Sequence, residues 1–291
     1  FKGLSMILSV LFSSITSRLS DKFSERESHI LAYLLIKFLY GKEKYMVIAY
    51  PDEEIAVDEE ELSCVIGRLL ADEPVEYIVG EVEFYGCPFC VNRHTLIPRP
   101  ETEELVDWVI REYRQGIWPG KCKILDIGTG SGAIALSLAR NIRFSEVIAY
   151  DVSEEALKVA QKNAVRQGVN NISFEWKDIL AMDILPETFD IIVSNPPYVL
   201  ENEKQAMQAN VLEYEPPVAL FVKDAVPLLF YEKIAALALS GLTDGGRLYF
   251  EINERFGMEM IRMLEKKGFS EVVLQKDLFG KDRMIRAIKN G

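Results

Sequence analysis

The spacing of apolar residues divides the chain into a helical first part and an alternating second part. In the first part, apolar residues recur at steps of three or four, as on one face of an amphipathic helix, at Leu4, Ile7, Leu8, Leu11, Ile15 and Leu19. This segment is too short to span a bilayer and lacks a clear small-residue cleavage site. We therefore expect a packed first helix rather than a signal peptide.

Two further helices are indicated by capping residues. Ser24 and Glu27 have the spacing of a capping box before the apolar run from His29 to Tyr40. Asp58 is placed to cap the helix that follows it. Residues 1–73 are therefore predicted to form a small helical bundle.

Residues 74–97 have the composition of strands and turns. β-branched and aromatic residues dominate this stretch and glycines interrupt them, so we predict a β-hairpin linker. Each proline of Ile97-Pro98-Arg99-Pro100 then holds the preceding residue out of helical geometry. Thr102 is expected to cap the next helix, which ends at about Tyr113.

Apolar runs and amphipathic stretches alternate in the rest of the chain. The predicted strands are Cys122–Ile127, Glu146–Asp151, Ile172–Trp176, Phe189–Ser194 and Arg247–Ile252, with two more near Val272 and at Met284–Ile288. The predicted helices are Gly132–Arg140, Glu154–Gln167, Val226–Leu239 and Phe256–Lys267. This alternation predicts an α/β domain at residues 98–291, with a mostly parallel sheet and helices on both faces. Ligands of such sheets bind beyond the carboxyl ends of the strands.

The composition limits the kinds of binding partner and the cellular compartment that we expect for this chain. The chain of 291 residues is 49% hydrophobic and 27% charged, an ordinary balance for a globular protein, and its net charge is -12. Proteins that bind nucleic acid need basic surfaces, so this charge counts against DNA or RNA as the main partner. Four cysteines are too few for a dense disulfide framework, so we expect a reducing cytoplasm. We also expect no membrane attachment, because the apolar first segment is too short to span a bilayer.

Cys87, Cys90 and His94 have the spacing of part of a zinc site. A structural zinc site normally needs four ligands, and no second ligand pair lies nearby in the sequence. The stretch from Cys87 to Val91 also has the composition of an apolar strand. We therefore expect no bound metal.

A glycine-rich loop follows the first predicted strand of the α/β domain and opens the next helix. The loop consists of Gly128, Thr129, Gly130, Ser131 and Gly132. Glycines permit a tight turn and the close approach of a ligand to free helix amides. Asp151 ends the next strand, where a carboxylate can accept hydrogen bonds from a ribose. The loop alone fits both a nicotinamide dinucleotide and S-adenosylmethionine.

The sequence Ser194-Asn195-Pro196-Pro197-Tyr198 separates these two possibilities. It follows the fourth predicted strand, and its prolines fix the backbone without offering N–H donors. The Asn195 side-chain oxygen and the Pro196 carbonyl can both accept hydrogen bonds from one NH2 group, and Tyr198 can stack on a flat conjugated group. This set suits methylation of a planar amide or an exocyclic amine, whose delocalised lone pair needs orientation more than a strong base. A nicotinamide-dependent oxidoreductase would leave it without a role.

These motifs resemble those of class I S-adenosylmethionine-dependent methyltransferases. The combination of Asn195–Tyr198 with Leu96-Ile97-Pro98-Arg99-Pro100-Glu101-Thr102-Glu103 is similar to the HemK/PrmC family of protein-(glutamine-N5) methyltransferases. Further similar stretches are Pro74–Ile78 with Gly80, Tyr214–Pro216 before Ala219-Leu220, and Asp282-Arg283. The resemblance implies a Rossmann-like domain, with a seven-stranded, mostly parallel sheet, and a small helical N-terminal domain.

The resemblance also implies a reaction in translation termination. A methyl group would pass from S-adenosylmethionine to the side-chain amide nitrogen (N5) of the glutamine in the Gly-Gly-Gln motif of peptide chain release factors. The methionine end of the cofactor is assigned to Gly128–Gly132, the ribose to Asp151, and the adenine to Asp178 with Ile179, where the family often has an aromatic residue. The residues expected to hold the substrate glutamine are Asn195, Pro196, Pro197 and Tyr198. Among these, Asn195, Pro196 and Tyr198 are the expected catalytic residues, and Asn195 is also an expected cofactor contact.

Docking of the release factor is assigned to residues 1–73, and we expect a monomer. Two other functions stay open at this point. A DNA adenine-N6 methyltransferase shares the Asn-Pro-Pro-Tyr motif, and a non-catalytic scaffold could bind S-adenosylmethionine without turnover. Arg99 and Glu101 also have a purely structural interpretation, as a surface salt pair at the start of a helix.

Overall fold

The computed structural model describes residues 4–291 except residues 117 and 119. The first three residues of the predicted N-terminal bundle therefore lie outside the described residues. The chain forms two compact units. One contains the described residues up to Gly80 together with Ala209–Tyr214, and the other contains Glu81–Gln208 and Glu215–Gly291.

The first unit is mainly helical. Its elements before Gly80 are β1 (Leu4–Ile7), α1 (Leu8–Leu19), α2 (Glu25–Tyr40), α3 (Lys44–Ala49), β2 (Glu54–Val57), α4 (Glu59–Leu70) and α5 (Val75–Val79). The predicted first helix is wrong for residues 4–7, because β1 pairs antiparallel with β2, and this pairing satisfies its backbone groups. The apolar face of α1 is confirmed, since all four of its predicted core residues are 0% exposed: Leu8, Leu11, Ile15 and Leu19.

The predicted helix caps of this unit are confirmed. Ser24 and Glu27 form a reciprocal capping box at the start of α2. Asp58 accepts hydrogen bonds from the amides of Glu60 and Glu61, each 3.1 Å long, at the start of α4. Among the described residues, no helix combines the length and the apolar character needed to cross a bilayer.

The second unit contains most of the strands. The strands that follow in the chain are β3 (Glu81–Phe84), β4 (Cys87–Cys90), β5 (Cys122–Ile127), β6 (Ser145–Asp151), β7 (Ile172–Trp176), β8 (Phe189–Ser194), β9 (Val199–Leu200), β10 (Phe221–Val222), β11 (Leu242–Glu251), β12 (Phe269–Lys276) and β13 (Asp282–Lys289). The helices are α6 (Pro100–Arg114), α7 (Ala133–Asn141), α8 (Glu154–Gln167), α9 (Ala209–Tyr214, part of the first unit), α10 (Pro217–Leu220), α11 (Leu229–Gly241) and α12 (Gly257–Lys267). Short 3₁₀ helices lie at Ile179–Ala181, Glu201–Ala206 and Glu254–Phe256.

Seven strands form one sheet in the order β12-β13-β11-β8-β5-β6-β7. β13 is antiparallel to both of its neighbours, and the other pairs are parallel. The predicted seven-stranded, mostly parallel sheet is therefore confirmed. After β7 the chain crosses back over β6 and β5 to form β8. The strand order thus reverses between β5 and β8, which is where open α/β sheets bind ligands.

Helices cover both faces of this sheet because successive strand residues point to opposite faces. In β5, Ile124 packs in one buried cluster with α6 and α7, whereas Leu125 packs in a second cluster with α11 and α12. Both residues are 0% exposed. Burial on both faces explains why β5 has a continuous apolar sequence rather than an alternating one.

The sequence predictions miss several boundaries around the sheet. The hairpin of β3 and β4 is confirmed, but the stretch predicted as its beginning forms the helix α5. Thr102 does not cap α6, because this helix begins at Pro100 with extended Arg99 before it. Proline suits a first helical position, where its missing N–H would have no partner in any case. Thr102 instead lies inside the first turn and points its hydroxyl towards β11.

Candidate active site

A cavity of about 350 Å³ lies at the carboxyl ends of the central strands of the second unit. The ends of β5, β6 and β8 contribute Ile127, Asp151 and Ser194 to its lining. Ser194 Oγ donates a hydrogen bond of 2.6 Å to the carbonyl oxygen of Ile127, which ties β5 to β8 beside the cavity. The cavity therefore opens where the strand order reverses, as expected for a ligand site of such a sheet.

The glycine-rich loop, for which a cofactor is predicted, forms one side of the cavity, called the cofactor side below, and presents mainly backbone. Gly128 and Gly130 have φ angles of 77° and 56°, in the left-handed region that favours glycine. Gly132 precedes α7, and a Cβ on it would lie only 3.2 Å from Ala160 Cβ of α8, so a larger residue would push the two helices apart. Four of the five predicted loop residues line the cavity: Gly128, Thr129, Gly130 and Ser131.

Two acidic residues at strand ends belong to the same side. Asp151 accepts hydrogen bonds from two backbone amides, one of them Gly130 N at 2.8 Å, so it links β6 to the loop. Burial raises the pKa of Asp151, and the amide donors partly offset this effect. Asp178 accepts a hydrogen bond of 3.0 Å from the amide of Leu180, which caps the turn that contains Ile179. Asp178 and Ile179 both line the cavity, so these predicted residues are brought together with the loop.

Asp126 is a further acidic residue on this side, and the sequence alone gave it no role. Its side chain is fully buried, and its Oδ2 accepts a hydrogen bond of 2.7 Å from Thr129 Oγ1. Its Oδ1 has no hydrogen-bond partner in the described part of the chain. Burial raises the pKa of Asp126 to about 7, although the Thr129 hydroxyl acts in the opposite direction. This carboxyl group therefore supports the loop from the protein interior.

The opposite, acceptor side of the cavity is formed by Asn195, Pro196 and Pro197, which follow β8. Asn195 Nδ2 donates a hydrogen bond of 3.3 Å to Thr102 Oγ1, and Thr102 Oγ1 donates one of 2.6 Å to Glu251 Oε2. Because the NH2 group of Asn195 is engaged, its Oδ1 is the atom left to accept a hydrogen bond from a ligand.

Glu251 lies at the end of β11 and connects the acceptor residues. It is 1% exposed, and its Oε1 accepts a hydrogen bond of 2.9 Å from Tyr198 OH. Burial raises the pKa of Glu251, while the hydroxyls of Thr102 and Tyr198 that donate to it lower the pKa again. The stacking of Tyr198 on a substrate stays a prediction.

The sequence analysis did not identify Thr102 and Glu251 as site residues. A signal for Glu251 is present, since it is an acidic residue directly after the apolar run Leu248–Phe250, at the carboxyl end of a strand. Acidic residues are seldom fully buried unless hydrogen bonds compensate them. Thr102 carries no such signal, because threonine at a helix start is ordinarily a cap.

The segment before α6 is held by Glu215, which is 2% exposed. Glu215 Oε2 accepts a hydrogen bond of 3.2 Å from the amide of Ile97, and its Oε1 accepts one of 2.5 Å from Arg99 Nη2. The interpretation of Arg99 and Glu101 as a surface salt pair is therefore wrong, because Arg99 pairs with a buried carboxylate instead. Arg99 also lines the cavity, so Glu215 helps to fix the wall formed by this segment.

The candidate zinc ligands are directed to other partners. The Cys87 thiol contacts Arg140, and the Cys90 thiol accepts a hydrogen bond of 3.4 Å from Arg166 Nη1. His94 lines the cavity. Within residues 4–116, 118 and 120–291, no group of three or more His, Cys, Asp and Glu side chains is placed to hold a metal ion.

Comparison with known proteins identifies the family. Residues 120–275, more than half of the chain, match a family described as a methyltransferase domain. A release factor glutamine methyltransferase of Flavobacterium psychrophilum is 45% identical over 284 residues, which cover 97% of this chain and 99% of that protein. Another, of Bacteroides thetaiotaomicron, is 44% identical over 275 residues, or 94% of this chain and 97% of that protein. The chain belongs to the release factor glutamine methyltransferase family.

The fold of this family member is also found in a solved structure. A methyltransferase from Pyrococcus furiosus has a TM-score of 0.53 and is 20% identical, and the match covers 79% of this chain and 100% of that chain. This likeness supports the fold alone. The resemblance to protein-(glutamine-N5) methyltransferases and the class I methyltransferase fold predicted from the sequence are confirmed.

The cofactor of this methyltransferase is S-adenosylmethionine, and the residues of the cavity fit it. Of the loop predicted to hold the methionine end, the residues from Gly128 to Ser131 line the cavity. Asp151 would offer a carboxylate to ribose hydroxyls, and Ile179, which is 9% exposed, would offer an apolar side chain to the adenine, as predicted from the sequence. The volume of about 350 Å³ lies within the usual range for sites that enclose small molecules.

Proposed function

We propose that this protein methylates the side-chain amide nitrogen of the glutamine in the Gly-Gly-Gln motif of peptide chain release factors. The observation that carries this proposal is the orientation of Asn195. Its Nδ2 is held by Thr102, so its Oδ1 and the neighbouring Pro196 carbonyl are two acceptors suited to one NH2 group. The family to which the chain belongs supports the same substrate.

The site residues act by orientation and electrostatics rather than by strong acid–base catalysis. S-adenosylmethionine, when bound, supplies an electrophilic methyl group on a sulfonium. The substrate amide nitrogen is a poor nucleophile because its lone pair is delocalised. Asn195 Oδ1 and the Pro196 carbonyl accept hydrogen bonds from the two N–H groups of this amide. These hydrogen bonds turn the nitrogen towards the cofactor side and stabilise the positive charge that grows on it. The proton can leave to water after transfer, so no general base is required.

The test is a transfer assay with tritiated S-adenosylmethionine and purified release factor. We expect label on the wild-type factor and none on a factor whose Gly-Gly-Gln glutamine is changed to alanine. Duplex DNA is offered in parallel, because the exocyclic NH2 of adenine would suit the same two acceptors. Label on DNA but not on the factor would replace the substrate while leaving the methyltransferase fold in place. Bound cofactor without label on either would favour a non-catalytic scaffold.

We also propose that the N-terminal unit docks the release factor, the role predicted for residues 1–73. Ile30 of α2 and Ile48 of α3 are 51% and 61% exposed. Together with Tyr33 and His29 they line a shallow surface groove of this unit. Exposed groups of apolar side chains on soluble proteins often mark protein-binding surfaces.

A charged substitution in this groove tests the docking role. We expect Ile48→Asp to raise KM for the full-length factor and to leave methylation of a short Gly-Gly-Gln peptide unchanged. The matched control is Val165→Asp on α8 of the second unit, where Val165 is 83% exposed. Equal KM values for Ile48→Asp and wild type with the full-length factor would contradict the proposal.

The proposal places the enzyme in the cytoplasm as a monomer. Release factors act on cytoplasmic ribosomes, and the four cysteines are free thiols: Cys64, Cys87, Cys90 and Cys122.

A further inference from the structure

We propose that Thr102 and Glu251 are positioning residues that fix the direction of the Asn195 amide, so that its oxygen rather than its NH2 group faces the substrate. This inference deepens the proposed function and rests on it for its catalytic meaning. Neither residue belongs to the glycine-rich loop or to the Asn-Pro-Pro-Tyr motif. Thr102 contacts the Asn195 side chain, and Glu251 contacts Thr102, so both act through Asn195.

The direction of an asparagine amide is not determined by its shape. Its oxygen and its NH2 group have nearly the same size, so only hydrogen-bond partners distinguish the two orientations. In one orientation the Asn195 oxygen faces a substrate NH2 group and can accept a hydrogen bond from it. In the other orientation the Asn195 NH2 group faces the substrate NH2 group, and the two donors repel each other. The reaction therefore depends on whatever keeps the amide from turning over.

Glu251 supplies the fixed end of this chain of hydrogen bonds. In its carboxylate form Glu251 only accepts hydrogen bonds, and Thr102 Oγ1 lies 2.6 Å from its Oε2. Hydrogen bonds to an ionised acceptor are short and roughly twice as strong as neutral ones, so the single hydroxyl proton of Thr102 is committed to Glu251. The Thr102 oxygen is then left as an acceptor, and at 3.3 Å it accepts from Asn195 Nδ2.

The reversed orientation has a definite cost. If Asn195 presented its oxygen to Thr102, the Thr102 hydroxyl could satisfy only one of two acceptors. Either Glu251 Oε2 would lose its donor, or the Asn195 and Thr102 oxygens would meet without a hydrogen between them. Thr102 and Glu251 are 4% and 1% exposed, so little water reaches them to compensate. The buried carboxylate of Glu251 thus determines, through the Thr102 hydroxyl, which end of the Asn195 amide faces the substrate.

The same carboxylate also holds the other acceptor-side residue. Glu251 Oε1 accepts from Tyr198 OH at 2.9 Å, while Oε2 serves Thr102. One side chain at the end of β11 therefore connects the first and last residues of the Asn-Pro-Pro-Tyr motif. This arrangement gives a reason for a fully buried glutamate at a position where a structural role alone would be met by an apolar residue.

The first test compares two substitutions of Thr102. Thr102→Val keeps the shape but removes the hydroxyl, and we expect kcat to fall about 100-fold, as for a small misplacement of a reacting group. Affinity for S-adenosylmethionine should stay close to wild type, whereas the melting temperature should fall, because the buried Glu251 Oε2 loses its donor. Thr102→Ser restores the hydroxyl, and its kcat should return to within about threefold of wild type. A role in shape alone would predict the reverse ranking, because valine replaces the shape of threonine better than serine does.

A second test observes the amide directly and does not require activity. In protein with ¹⁵N-labelled asparagine, the Asn195 side-chain signals are assigned by their loss in Asn195→Ala. We expect exchange of its Nδ2 protons with water to be slow in wild type and Thr102→Ser, and faster by at least about fivefold in Thr102→Val and Glu251→Gln. Glutamine can turn its NH2 group towards Thr102, which frees the Thr102 proton and allows the Asn195 amide to turn over.

The outcomes separate the inference from the proposed function. If wild-type enzyme labels the release factor but Thr102→Val has normal kcat, the proposed function stands and the positioning role is wrong. If wild-type enzyme labels no release factor, the proposed function fails, and the exchange rates of the Asn195 amide still decide the inference. Equal exchange rates in wild type, Thr102→Val and Glu251→Gln would overturn it in either case.

Discussion

The two sides of the cavity are built in different ways. The cofactor side consists of backbone amides and carboxylates whose hydrogen bonds span shorter stretches of sequence: Asp126 and Thr129 are three residues apart, and Gly130 and Asp151 are 21 residues apart. The acceptor side consists of side chains from distant segments. Asn195 and Thr102 are 93 residues apart, and Thr102 and Glu251 are 149 residues apart.

This difference separates two kinds of function. In the proposed function, the backbone and carboxylates of the cofactor side hold a cofactor whose shape is constant, so a change there should weaken binding before it affects the chemical step. The acceptor side must orient one amide nitrogen, and its hydrogen bonds matter most as charge develops during transfer. Substitutions on the two sides should therefore divide between cofactor affinity and turnover.

The largest effect expected on the acceptor side is that of Asn195→Ala. The change removes one of the two acceptors for the substrate NH2 group, and we expect kcat to fall by at least about 100- to 1000-fold, as for the loss of one charge-stabilising group. Affinity for S-adenosylmethionine, measured by calorimetry, should change little. Normal turnover in this variant would contradict the proposed mechanism and the division between the two sides.

On the cofactor side, Asp126 should affect the stability of the folded protein, and this effect should depend on pH. The pKa of Asp126 is raised to about 7 in the folded protein, against an ordinary value of 3.8. Between these values the folded state binds more protons than the unfolded state, so the contribution of Asp126 to stability falls as pH rises through the folded pKa. Asp126→Asn removes this dependence. Its stability relative to wild type should rise by on the order of 2 to 3 kcal/mol from about pH 5 to about pH 8.

Urea unfolding of the cofactor-free protein at the two pH values gives this quantity. The comparison is between the two proteins at each pH, so carboxylates that they share cancel. A constant stability difference between Asp126→Asn and wild type would mean that the Asp126 carboxyl does not titrate in this range.

A smaller effect on the same side is expected for Asp151→Ala. The change removes the carboxylate proposed to hold the ribose and also the acceptor for Gly130 N. We expect affinity for S-adenosylmethionine to fall about 10- to 100-fold, as for the loss of a hydrogen bond to a charged group. At saturating cofactor, kcat should recover most of its wild-type value. A variant with normal affinity but low kcat would show that the two sides are not separate in function.

The same difference explains how much could be predicted from the sequence. Most of the cofactor side could be predicted, because glycines with left-handed φ angles and acidic residues at strand ends can be recognised from short stretches of sequence. β5, β7 and β8 were predicted with the ends that the structure shows. β5 and β8 lie inside the sheet and have nearly continuous apolar sequences, as is typical of parallel strands buried on both faces, whereas β7 is an edge strand with an alternating sequence.

The acceptor side was predicted only in part. Asn195–Tyr198 form a contiguous motif and could be identified, whereas Thr102 was assigned to a helix cap and Glu251 to no role. Their contacts arise from the packing of α6 against β11, and pairings between distant segments are not encoded by local preference. The strand β1 was missed for the same reason, because its partner β2 lies some fifty residues later in the chain.

Tyr198→Phe should give the smallest effect and tests whether Glu251 supports the acceptor side as a unit. Phenylalanine keeps the ring but loses the hydrogen bond of 2.9 Å to Glu251 Oε1. We expect kcat to fall about 5- to 10-fold, as for one hydrogen bond, with cofactor affinity unchanged. Because Glu251 would still accept from Thr102, the Asn195 amide should keep its direction and its slow proton exchange. A loss as large as that of Asn195→Ala would instead place the Tyr198 hydroxyl itself in the reaction.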